Sequence, residues 1–167
     1  MKFYKILCFI FILSSCDTNQ KEYNQSIEID FKELNSFVRD SLPSIIELDE
    51  NFSDVYEKWD NLSLINSVKN IKLSDPRQLN YNLTALKNDI IKINDKQLPG
   101  KLDFPQVIGR FRVLKTDILK ISTENMFTEN YDTFKLHLRD IIISHNALNN
   151  TINVILSKSE SENLDLN

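Results

Sequence analysis

Few side chains in this sequence have types and spacings suited to chemistry, and His145 stands foremost. It falls in the series Phe134, Leu138, Ile141, His145, Leu148, Ile152 and Ile155, where the spacing calls for an aliphatic residue. An imidazole inside a helical core has two uses. It can ligate haem or a metal, with Met126 as a second haem ligand in principle, or it can stay neutral and hydrogen-bond a neighbour. Metal sites need several ligands, and His137, the only other histidine, lies eight residues earlier, about 12 Å along a helix. The expectation is a core histidine and no bound cofactor. The alternative is a bundle that binds haem, a metal or a small ligand through His145. Arg110, Arg112 and Lys115 form a small basic group, suited to an anion or acidic partner, or to a solvated face paired with Asp117 and other carboxylates. Trp59 and Tyr56 read as core and core-edge aromatics in preference to a ligand cage. The sequence contains no Gly-rich phosphate loop, H-E-x-x-H, G-x-S-x-G or calcium loop, and no Glu-x-x-His pair of the kind that holds two metals in bundles. With no nucleophile and base to pair, no enzymatic activity is expected.

The two cysteines, Cys8 and Cys16, belong to the N-terminus. Lys2 and Lys5 precede the apolar run Ile6 to Leu13, the charge-then-hydrophobe order of a secretory signal. That run is too short to cross a bilayer, which takes about 20 apolar residues. It ends in Leu13-Ser14-Ser15-Cys16 and gives way at once to the polar stretch DTNQKEYNQS. An aliphatic residue, two small residues and a cysteine resemble the lipobox of bacterial lipoproteins. The resemblance implies that Cys16 is acylated, becomes the first residue of the mature chain and anchors it to a membrane of the cell envelope. A thiol readily accepts a thioether-linked diacylglycerol, so the chemistry agrees. One acyl chain binds marginally, at about 0.8 kcal/mol per buried CH₂, whereas several on one cysteine hold firmly. Asp17 resembles the inner-membrane retention position of enteric lipoproteins. The Asn-, Ile- and Lys-rich composition resembles lipoproteins of Bacteroidetes, where other residues near the cysteine govern export, so both membranes stay open. The stretch LPGKLDFPQVIGRFRVLKTDILK, 98 to 120, is similar to a segment of small Bacteroidetes lipoproteins and implies no activity.

Removal of the signal changes the chemistry left to the chain. Cys8 is lost and Cys16 carries lipid, so disulfides, thiolate metal sites and a cysteine nucleophile are all excluded. Loss of Lys2 and Lys5 takes the formal charge from −4 to −6, with 18 basic against 24 acidic residues. Such an acidic chain argues against nucleic acid, which demands a basic footprint. The expected partners are membrane lipid through Cys16 and an envelope protein.

The elements that must position these residues read as helices. Glycine occurs twice and proline four times, which disfavours folds rich in turns. Five apolar series advance in steps of three and four: Ile27 to Leu42, Ile45 to Leu62, Leu79 to Ile93, Val107 to Ile121 and Phe134 to Ile155. Such steps average 3.5 residues, the spacing that keeps one seam against near-parallel neighbours. Main helices are predicted over 43–72, 76–97, 105–126 and 129–157, with a shorter arm before them. Asp75 before Pro76, Asp103 with Gln106, and Thr128 are the expected caps, and Pro43 either starts a helix or kinks one. The predicted fold is all-α, an up-down-up-down four-helix bundle with an additional N-terminal helical arm. Its domains are a signal peptide over 1–15, the lipidated cysteine and tether over 16–26, the bundle over 27–157 and a polar, fraying tail over 158–167.

Overall fold

Helices dominate this chain because its apolar residues recur at helical spacing, and no strand occurs among the described residues. The computed structural model describes residues 31–59, 62–93, 98–123, 126, 128 and 130–164. The described chain opens in a helix over 31–36 that widens into a π-helical turn, Phe37–Ser41, and the two together are α1. A 3-10 turn, Glu50–Phe52, leads into α2 (Ser53–Tyr56), then α3 (Leu62–Ser67) and α4 (Asn70–Leu73). The 3-10 turn Pro76–Gln78 opens α5 (Leu79–Lys92), and another at Gly100–Leu102 precedes α6 (Pro105–Lys120). The long α7 (Tyr131–Leu164) completes the fold.

The three long helices bury the stripes that the spacing marks out. Leu79, Leu83, Leu86 and Ile90 of α5 join Val107, Phe111, Leu114 and Ile118 of α6 in one core, against Phe134, Leu138, Ile141 and Leu148 of α7. Helices α5 and α6 also cap one another. Lys87 Nζ donates to the Ile121 carbonyl at 2.7 Å, and Lys115 Nζ donates to the Ile93 carbonyl at 3.0 Å. Those carbonyls lie just past the last turns of α6 and α5, where helix carbonyls lack internal partners and the dipole favours a cation. Pairing 87 with 121 and 115 with 93 makes the two helices antiparallel.

Five boundaries depart from expectation. Helix α5, expected to reach 97, stops at Lys92 with Ile93 extended. The single helix expected over 43–72 does not form. Proline disfavours helical backbone in the residue before it, and Leu42 accordingly turns extended, at ψ 142. Pro43 neither starts nor kinks a helix; residues 43–49 run without one, and α2 to α4 follow as short pieces. Leu48, Phe52 and Trp59 are still buried, because periodicity selects the residues that face the core and not the continuity of the backbone ladder. Asp103 is not the cap of α6: Pro105 takes the first helical position, and Phe104 before it holds the extended cap conformation without a side-chain bond. Helix α6 stops at Lys120, short of 126, with Ile121 extended. Finally, α7 continues through the polar tail to Leu164. Extending a helix already nucleated costs little per residue, so the tail needs no apolar face to stay helical.

One expected cap forms: Asp75 accepts the Arg77 amide at 2.9 Å ahead of Pro76. Thr128 does not cap α7; its Oγ1 accepts the Asn130 amide at 3.2 Å in the turn before the helix, whose first helical bond runs from the Phe134 amide to the Asn130 carbonyl. Gly109 lies on the exposed side of α6, where an added Cβ would meet nothing, so close helix approach is not its role.

Candidate functional site

The most elaborate polar arrangement lies along one face of α7, where three asparagines hold an extended strap, residues 43–49. Asn146 Nδ2 donates to the Ser44 carbonyl at 2.7 Å, and Asn146 Oδ1 accepts the Ile46 amide at 2.8 Å. Asn149 Nδ2 donates to the Ile46 carbonyl at 2.7 Å. Asn153 repeats the pattern, accepting the Asp49 amide at 2.9 Å and donating to the Glu47 carbonyl at 3.0 Å. A primary amide carries a donor and an acceptor, as the peptide group does, so Asn146 and Asn153 serve as a neighbouring strand would, while Asn149 lends its donor alone and its buried Oδ1 has no partner among the described residues. This answers where the strap's backbone hydrogen bonds go once helix is denied to it. Helix α4 grips the start of the strap from elsewhere, with Lys72 Nζ donating to the Leu42 and Pro43 carbonyls at 2.8 and 3.0 Å. The Tyr56 hydroxyl donates to the Asp49 carbonyl at the other end.

His145 lies beneath this ladder, 1% exposed. Nδ1 is 3.4 Å from Asn146 Oδ1 and Nε2 is 3.4 Å from Asn149 Nδ2. A neutral ring with its proton on Nδ1 can donate to the first and accept from the second. A charged ring would turn an N–H toward the Asn149 amino group, donor against donor. Burial accordingly pushes His145 below its ordinary pKa; hydrogen bonds with Asn146 and the Ile65 backbone, and the charge of Glu47, pull the other way. A depressed folded-state pKa gives stability that is present at neutral pH and is lost as pH falls from the unfolded value, about 6.5, toward the folded one. Urea unfolding of the wild type and His145→Leu between about pH 7.5 and 5 should show a stability loss in the first that is much reduced in the second. Parallel pH curves would assign the loss to other groups. Leucine leaves Asn146 and Asn149 bonded to Ile46 and nearly conserves volume, so at neutral pH the substitution should cost under about 1.5 kcal/mol.

The other residues singled out in the sequence are dispersed. Arg110 lines a shallow surface cleft of about 270 Å³ between α6 and α7, where Asp117 and Asp140 also face. Two carboxylates there oppose the binding of an anion. Arg112 is exposed on α6, and Lys115 is committed to the Ile93 carbonyl, so the three cations make no common site. Trp59 and Tyr56 are both buried, as core aromatics, with the Trp59 ring edge-on to Phe111 at 6.2 Å. Met126 is buried in the same core, while His137 is half-buried. Among the described residues, no three histidine, cysteine, aspartate or glutamate side chains gather as a metal would require. Cys16 lies outside the described residues.

The asparagine ladder went unnoticed in the sequence, although it left a signal. Asn146, Asn149 and Asn153 step by three and four, the same interval as the apolar series beside them. Asparagine is a poor interior helix residue, and three aligned on one face mark that face as busy with backbone. Fold and site together define an all-α protein whose long C-terminal helix clamps an extended segment of its own chain. No family model, curated protein or solved structure matches it. Among the described residues, no helix is long and apolar enough to cross a membrane.

Proposed function

We propose that this protein is a lipid-anchored lipoprotein of the bacterial cell envelope whose helical domain binds or scaffolds a protein partner through its surface and performs no catalysis. One observation carries the reading: Lys2 and Lys5, an eight-residue apolar run and Leu13-Ser14-Ser15-Cys16, followed at once by a polar tether. The engagement of His145 with Asn146 and Asn149 beneath the strap supports the partner-binding reading over a haem or metal bundle, since both ring nitrogens face amides. In this reading the domain is an up-down-up-down four-helix bundle. The antiparallel pair α5 and α6 and the long α7 supply three of its rods, and the broken run α2 to α4 stands in for the fourth, with α1 as the arm.

The test is Cys16→Ala in a bacterial host fed labelled fatty acid. The wild type should be processed, take up label and partition into detergent, while Cys16→Ala should accumulate as unlabelled precursor. Equal labelling of the two proteins would end the lipoprotein reading.

A further inference from the structure

An open cavity of about 940 Å³ lies where α1 meets the junction of α4 and α5. Its walls carry Lys32, Arg39, Lys72 and Arg77 against one lining carboxylate, Asp75, in a chain whose formal charge is −4. Arg39 and Arg77 pair with Asp40 and Asp75 at 2.9 and 3.4 Å, but all four side chains are largely exposed, and such pairs are weak and salt-screened. Lys72 is turned toward two neutral carbonyls, which fixes its charge at the cavity wall without cancelling it. Among these cations stands Leu73, 74% exposed, with the half-buried Phe31 lining the same cavity. Exposed apolar groups ringed by cations suit the boundary between phosphate headgroups and acyl chains.

We propose that this cleft is the face the protein sets against an anionic bilayer, its cations taking lipid phosphate headgroups and Leu73 entering the acyl boundary. The proposal rests on the lipid-anchored reading. Phe31 lines the cleft and lies 15 residues after Cys16, a distance of at most roughly 50 Å when extended. The first described residue on the anchor's side of the chain is therefore part of the cleft itself. An acyl chain holds the protein to any bilayer, and the cleft orients the domain on anionic ones. Near such a surface each Lys or Arg contributes about fivefold in association.

The experiment is hydroxyl-radical footprinting of the full chain on vesicles of phosphatidylcholine alone and of phosphatidylcholine with phosphatidylglycerol. Flotation with the neutral vesicles reports the anchor, while the difference between the two compositions reports the cleft, so the two readings fail separately. Oxidation of Leu73 should slow several-fold on the anionic vesicles and recover in high salt, with Val113 and Leu136 labelled alike on both. The triple variant Lys32→Gln, Arg39→Gln, Arg77→Gln should lose the protection. A second triple of equal charge, Lys101→Gln, Lys120→Gln, Lys158→Gln, should keep it. Equal oxidation on the two compositions would overturn the proposal, as would equal loss in the two triples, which would make it an effect of net charge. Protection of Leu73 by inorganic phosphate on neutral vesicles would also overturn it, in favour of a site for soluble anions.

Discussion

Trp59→Ala should destabilise the fold by about 3–5 kcal/mol. The ring is 4% exposed and meets Phe111 of α6 edge-on, at 6.2 Å and 63° between planes. Such aromatic pairs add about 0.5–1.5 kcal/mol beyond the area they bury. Its position raises the stakes. Trp59 joins the short helices of the first half to the long helices, at a point where the backbone holds only turns: its amide donates to the Tyr56 carbonyl, and its own carbonyl accepts the Leu62 amide. Alanine would leave a hole that these short pieces close at the expense of their contact with α6. Trp59→Phe should cost much less, because the buried indole Nε1 has no hydrogen-bond partner among the described residues, and phenylalanine removes that donor. Urea unfolding followed by circular dichroism measures both variants. A loss below about 1 kcal/mol for Trp59→Ala would mean the ring is not part of the core.

The long helices were legible in the sequence because burial and backbone share one period there. Every member of the Leu79 to Ile93 and Val107 to Ile121 series is buried, and in the last series only Ile155 is partly exposed. His145 lies where its series places it, inside the core. The first half was not legible in the same way. Ile45, Leu48, Phe52, Val55, Trp59 and Leu62 hold helical spacing, yet an extended strap and short turns bury Leu48, Phe52 and Trp59 and pack Ile45, Val55 and Leu62 half-buried against the core. What decides between these backbones is the satisfaction of peptide groups, and for the strap that comes from side chains about a hundred residues away on α7. No local window contains that information. The cleft beside α1 was hidden for a related reason: Lys32 and Arg39 are distant in sequence from Lys72 and Arg77, and each pair alone reads as ordinary surface charge.

Asn149→Ala should loosen the strap while the long helices persist. Asn149 is 1% exposed, and its amino group is the donor to the Ile46 carbonyl, a part-buried bond that water replaces poorly. Leaving that carbonyl unpartnered should cost about 1–3 kcal/mol. Asn146→Ala should cost less, since its bonds to Ser44 and Ile46 lie at the surface. Because both side chains hold Ile46, the double variant should depart from the sum of the singles. Amide hydrogen exchange discriminates a released strap from global unfolding, since local opening exposes only the amides it frees. The Ile46 and Asp49 amides, which bond to Asn146 and Asn153, should exchange faster in Asn149→Ala, with the amides of α6 and the first half of α7 unchanged. Asn149→Asp sharpens the test: a carboxylate would set an acceptor against the Ile46 carbonyl and a negative charge beside His145 Nε2, so it should free the strap and raise the His145 pKa together. If Ile46 and Asp49 keep their protection in Asn149→Ala, the strap is held by the burial of Leu42 and Leu48, and the amide ladder only follows its course.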